Sequence, residues 1–220
     1  LVHMTNDYGA GLADSFTAAF TEDGSALCTT IGYAQDATDF SGAVQGMIDN
    51  GCTSAVLISY AADGAMILDE MATQMWAGQV YGGDGIAEEG LAVDASSSVD
   101  GVIATKPSSG SMGTVGYVFA GLCAQSADCA GGIYTAEAFD GVVLMALSAF
   151  AQMASPTATL SQVIMATGQG LEGASGTISF LANGDVPGAG YCVGDFTEDS
   201  GTGDVAFTCN RSWDVINGLV

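Results

Sequence analysis

Basic residues are almost missing from this chain. Its 220 residues include two strong bases, Lys106 and Arg211, and one histidine, His3. Against them stand 25 aspartates and glutamates, an ordinary share, so the net charge of -23 comes from absent bases rather than added acids. A phosphate backbone is held by several Lys or Arg contacts, which excludes nucleic acid as a partner. A lone histidine in a strand-like run, with no Gly-x-Ser-x-Gly sequence, leaves no hydrolase triad. Long apolar runs are missing too. The most apolar stretch, Gly141 to Met153, has about 13 residues, short of the roughly 20 that cross a bilayer, so no membrane-spanning segment is expected. The acidity reads first as adaptation to an unusual environment, with a cationic ligand or partner as the second reading.

Six cysteines are present, an even number that points to oxidising surroundings. Cys123 and Cys129 enclose a short loop. Cys192 and Cys209 flank a turn-rich stretch, Glu198 to Asp204, between two strand-like runs. Cys28 and Cys52 remain as the third pair. With no Cys-x-x-Cys and a single histidine, disulfides are expected and a metal site is not.

Along residues 1–106, short apolar runs alternate with helical periodicity. Leu1 to Met4 reads as a strand cut at its beginning, which leads to the expectation that the protein continues upstream. Leu12, Phe16, Ala19 and Phe20 recur at helical spacing up to Gly24, and Ala26 to Ile31 reads as the next strand. Asp39 can cap a helix through Val44 and Met47. Ala55 to Ile58 is a continuous apolar run of the buried parallel type. A helix through Leu68 and Met71, strands at Gln79 to Tyr81 and Val102 to Ala104, and a break at Lys106 to Ser109 complete the series. This alternation predicts an α/β fold, a Rossmann-like parallel sheet with helices on both faces. After Pro107 helices are expected near 118–124, 136–153 and 160–167, then strands at 178–180, 190–196 and 205–209.

Ligands of such sheets lie beyond the carboxyl ends of the strands. Thr5 to Tyr8, Tyr60 to Asp63 and Gly82 to Glu88 are placed there, each polar or aromatic with glycine nearby. Gly9-x-Gly11 is not a dinucleotide loop, because Asp14 stands where the third glycine is needed. Acidic pairs such as Glu88-Glu89 or Asp63-Asp69 are expected by chance among 25 acids and make no glycosidase. No cofactor is expected.

A set of stretches stands in a recognisable order: Asn6-Asp7-Tyr8-Gly9-Ala10-Gly11-Leu12-Ala13, Asp36 to Ser41, Ala55 to Ile58, Gly82-Gly83-Asp84-Gly85 and Gly101 to Thr105. Ala138-Phe139-Asp140-Gly141, Gly173 to Phe180 and Asn183-Gly184-Asp185 follow. Across nearly the whole chain the sequence resembles the Leu/Ile/Val-type (branched-chain amino-acid) binding proteins, the type I periplasmic solute-binding proteins of ABC transporters. The resemblance implies two lobes joined by crossing segments. Residues 1–106 and 190–220 would form the second lobe, residues 107–189 would belong to the first, and the N-terminal part of the first lobe would be absent. It also implies a secreted, periplasmic or extracellular receptor, not an enzyme. Such a receptor delivers a small polar ligand, an amino acid or similar compound, to an ABC transporter membrane permease. A sensory or regulatory ligand-binding domain of the same architecture is the alternative.

Within that resemblance Asp84 is the place of the acidic residue that pairs with a ligand ammonium, where a charge-assisted hydrogen bond is strong. Tyr8 matches a cleft-lining aromatic, and Tyr60 follows the next strand end. Ala61, its neighbour, would line the cleft by its backbone, and Phe139 begins a helix toward the hinge.

Overall fold

A computed structural model describes residues 1–96, 99–108, 113–126, 129, 134–186, 190–198, 200, 203, 205–214 and 217–220. The chain divides into two compact units, one of Leu1–Lys106, Cys192–Trp213 and Leu219–Val220, the other of Pro107–Tyr191 and Asp214–Gly218.

The first unit is built on β1 (Val2–Met4), α1 (Asp7–Thr21), β2 (Ile31–Tyr33), α2 (Ser41–Asp49), β3 (Ser54–Ile58), α3 (Ala61–Thr73), β4 (Gln79–Gly82), a 3-10 turn (Asp84–Ile86), α4 (Glu89–Asp94) and β5 (Ile103–Pro107). β2, β1, β3, β4 and β5 pair in that order, all parallel. β8 (Tyr191–Glu198), β9 (Val205–Asp214) and β10 (Gly218–Leu219) extend the sheet beyond β5 to eight strands. Strand order reverses between β1 and β3, and a crevice opens at such a switch point beyond the carboxyl ends.

The two faces of the sheet are filled differently. Val2, Met4 and Leu57 join Val44 and Met47 of α2, Ile67 and Leu68 of α3 and Leu91 of α4 in the main core. Leu1 and Ile58 meet Ala13 of α1 on a smaller cluster with Phe16, Leu27 and Val56 at its margin. An open apolar groove of about 610 Å³ runs beside α1, with Leu12, Phe16, Phe20 and Tyr81 among its lining. Burying apolar surface of this kind stabilises by roughly 25 cal/mol per Å².

β2 differs from the expectation of Ala26 to Ile31. Leu1 to Met4 sets the register, pairing Val2 with Ile31 and Met4 with Tyr33, while Leu27 packs against the α1 face instead. Asp39 is not the helix cap, since α2 starts at Ser41 after Phe40, yet its carboxylate still accepts the Ser41 amide at 2.9 Å.

The second unit holds α5 (Thr114–Cys123), α6 (Thr135–Ala154), α7 (Leu160–Gly168) and the antiparallel pair β6 (Leu171–Glu172) and β7 (Thr177–Ile178). α6 has 20 residues and is long and apolar enough to cross a membrane, where the apolar run read from the sequence was shorter. Its Asp140 is buried and accepts hydrogen bonds from the Ala174 and Ser175 amides at 2.6 and 2.8 Å and from the Ser175 hydroxyl at 2.7 Å. Those bonds tie α6 to the loop before β7.

The cysteines pair Cys28–Cys52, Cys123–Cys129 and Cys192–Cys209, with none free. Part of the turn Glu198 to Asp204 lies outside the described residues.

Candidate functional site

Three strand ends bring the candidate site together. After β1, the Asn6 side chain caps α1 by accepting the Gly9 amide at 2.9 Å, which fixes Tyr8 in the first helical turn. Gly9 lies so close to the end of β1 that a Cβ there would stand 2.0 Å from the Met4 carbonyl oxygen. After β3, Tyr60 is the residue from which α3 starts, and it is 44% exposed. After β4, Asp84 opens the short 3-10 turn.

The Tyr8 hydroxyl donates to Asp84 Oδ1 at 2.9 Å and accepts the Gly85 amide at 3.3 Å. The Tyr8 ring stacks on Tyr60, with centroids 5.3 Å apart and planes 12° from parallel. Gly85 permits this approach, because a Cβ there would meet the Ser59 carbonyl oxygen at 2.4 Å and the Tyr8 hydroxyl at 2.9 Å. Burial, then the Asp84 charge and the hydrogen bond to it, push the Tyr8 phenol well above its ordinary range.

A second tyrosine–carboxylate pair stands beside the first. Tyr33, at the end of β2, places its hydroxyl 2.7 Å from Ser59 Oγ and 3.3 Å from Asp63 Oδ2 in the first turn of α3. Ser59 is fully buried and also lies within hydrogen-bond reach of the Tyr60 carbonyl, at 3.1 Å. Burial raises the Tyr33 phenol, opposed by its bond to Ser59 and reinforced by Asp63. Burial likewise raises the Asp63 carboxyl, opposed by the Tyr33 hydrogen bond. Tyr60 acts electrostatically on both phenols, Tyr8 and Tyr33.

Tyr8, Tyr60 and Asp84 thus form one cluster at the carboxyl edge. Ala61 is buried in the main core, leaving its backbone at that edge. Phe139 lies in the second unit, on α6, partly exposed and tilted against Phe119 at 5.1 Å. Tyr33 and Ser59 were not anticipated; placing β2 too early hid Tyr33 at a strand end. Among the described residues no group of three His, Cys, Asp or Glu is arranged to hold a metal ion.

The sequence matches no protein-family model and no curated protein. Solved structures do resemble it. A leucine-binding protein, LivK, from Thermotoga maritima is 20% identical with a TM-score of 0.75, over 94% of this chain and 59% of its own. A periplasmic binding protein type 1 from Bordetella pertussis is 16% identical with a TM-score of 0.77, over 94% and 60%. An ABC-transporter solute-binding protein from R. palustris, in complex with benzoate, is 12% identical with a TM-score of 0.74, over 99% and 57%. The chain therefore spans less than two thirds of each of these structures.

Proposed function

We propose that this chain, which has the fold of a type I periplasmic binding protein, is the larger part of an extracytoplasmic solute receptor that passes a small polar ligand to an ABC transporter permease. One observation carries the reading: Tyr8, Tyr60 and Asp84, from three separate strand ends, converge at the switch point of the parallel sheet. The carboxylate of Asp84 supplies a charge-assisted acceptor for a ligand ammonium. The Tyr8–Tyr60 stack supplies an aromatic surface for the ligand's apolar part or its cation. The group acts by binding; it holds no nucleophile activated by a base, so the chain is read as a receptor and not an enzyme.

In this reading residues 1–106 and 190–220 are one lobe and carry one wall of the cleft. Residues 107–189 belong to the other lobe, and Phe139 stands on its side. The three disulfides support an oxidising compartment, hence the periplasm or cell exterior. Leucine and benzoate, ligands of the similar structures, set the size class.

A thermal-shift screen of the full-length protein against amino acids, amides and small aromatic carboxylates tests the proposal. A specific ligand raises the melting temperature by mass action. Stabilisation by none of these classes would overturn the reading.

A further inference from the structure

The two stacked tyrosines stand at helix starts of different construction. Tyr8 follows a side-chain cap, since Asn6 accepts the Gly9 amide at 2.9 Å. At α3 the cap position is taken by Tyr60 itself, whose side chain makes no capping bond. Asp63 stands at the third helical position, where a carboxylate ordinarily reaches back to the amide of the cap residue. In α3 it accepts the hydroxyl of Tyr33, from another strand, at 3.3 Å.

Tyr33 holds both sides of the turn between β3 and α3. Its hydroxyl also lies 2.7 Å from Oγ of Ser59, the residue just before Tyr60. Each of the two hydroxyls has one proton to give. The Tyr60 carbonyl already accepts the Gly64 amide at 2.8 Å, so Ser59 is free to donate to Tyr33 while Tyr33 donates to Asp63. One phenol thus joins residues 59 and 63, with Tyr60 between them in sequence. The other end of Tyr33 reaches the turn that carries Tyr8. Its backbone carbonyl accepts the Thr5 amide at 2.9 Å and the Thr5 hydroxyl at 3.0 Å, and Thr5 directly precedes the Asn6 cap. Tyr33 is buried, and its ring packs edge-on against Phe40, with centroids 5.0 Å apart and planes at 86°.

We propose that Tyr33 is a positioning residue of the ligand wall, fixing Tyr60 relative to Tyr8 so that their stack stands ready before a ligand arrives. The proposal rests on the receptor reading above and adds the residue that sets its aromatic surface. A surface already held in its bound form loses less freedom on binding, so the clamp contributes affinity through the two tyrosines it positions. Ser59 and Asp63 serve the same clamp as its two attachment points on the β3–α3 turn.

Tyr33→Phe keeps the ring and the backbone bonds to Thr5 and deletes the hydroxyl alone. Two measurements on the full-length protein test the proposal. The first is a near-ultraviolet circular dichroism cycle of the unaltered protein, Tyr33→Phe, Tyr60→Phe and the double variant. The dichroism of stacked rings depends on their mutual setting, so the change caused by Tyr33→Phe should be clearly larger with Tyr60 present than in the Tyr60→Phe background. The second is calorimetric titration with L-leucine, whose affinity Tyr33→Phe should weaken about fivefold to tenfold. Should Tyr33→Phe not fold, Ser59→Ala replaces it in both. A merely structural role lowers stability but leaves the dichroism changes additive and the affinity within about twofold. Additive changes, or an unchanged affinity for L-leucine, overturn the proposal, and L-leucine binding in that case leaves the receptor reading standing. If the unaltered protein does not bind L-leucine, the dichroism cycle alone decides: non-additive changes keep the clamp and remove only leucine from the receptor's ligands, additive changes overturn the proposal.

Discussion

The Tyr8 hydroxyl and the Asp84 carboxylate are joined by a 2.9 Å hydrogen bond across 76 residues of sequence. The bond links the first turn of α1 to the end of β4, and the stack on Tyr60 adds the end of β3. A site assembled from three strand ends on a buried parallel sheet is held rigid by the sheet. Its geometry therefore depends on a few close approaches.

Gly85 makes one of these, against both Ser59 and Tyr8. Gly85→Ala would force a Cβ against the Ser59 carbonyl and the Tyr8 hydroxyl. It should weaken ligand binding by about tenfold or more and lower stability by about 1–3 kcal/mol. Calorimetry and urea unfolding check the two effects separately.

The buried phenols give a test that needs no ligand. Tyr8 and Tyr33 are both raised above the ordinary tyrosine range. A raised folded-state pKa contributes stability that is complete below about pH 10 and is lost as pH rises further. Ultraviolet titration of the folded protein should show fewer than the full seven tyrosines ionising until alkali unfolds it. Tyr8→Phe and Tyr33→Phe should each remove one of the late-titrating groups.

In the second unit Asp140 accepts three hydrogen bonds from Ala174 and Ser175. Asp140→Ala strands two backbone amides and should destabilise by about 3 kcal/mol. Asp140→Asn should recover only part, since an amide oxygen replaces two carboxylate oxygens as acceptor. Thermal and urea unfolding measure the difference.

Much of the site was legible because its residues follow short apolar strands directly. Ala55 to Ile58 runs into Tyr60, and Gln79 to Tyr81 runs into Gly83-Asp84. Asp140 and Gly173 to Phe180 were visible only as two separate stretches; the structure joins them by hydrogen bonds. Tyr33 was hidden because Ala26 to Ile31 is as strand-like as the true β2. Pairing with β1 decides between them, and pairing is not a local property. The state of Asp63 was hidden for the same reason, since it depends on Tyr33 arriving from another strand.

The central claim is that Asp84, beside the Tyr8–Tyr60 stack, receives a ligand ammonium. Calorimetry on the unaltered full-length protein and on Asp84→Asn, with amino acids and their des-amino analogues, tests it most directly. The expected result is an amine preference of about tenfold or more in the unaltered protein, erased by the substitution. An Asp84→Asn protein that binds amino acids with unchanged affinity and unchanged amine preference would contradict it.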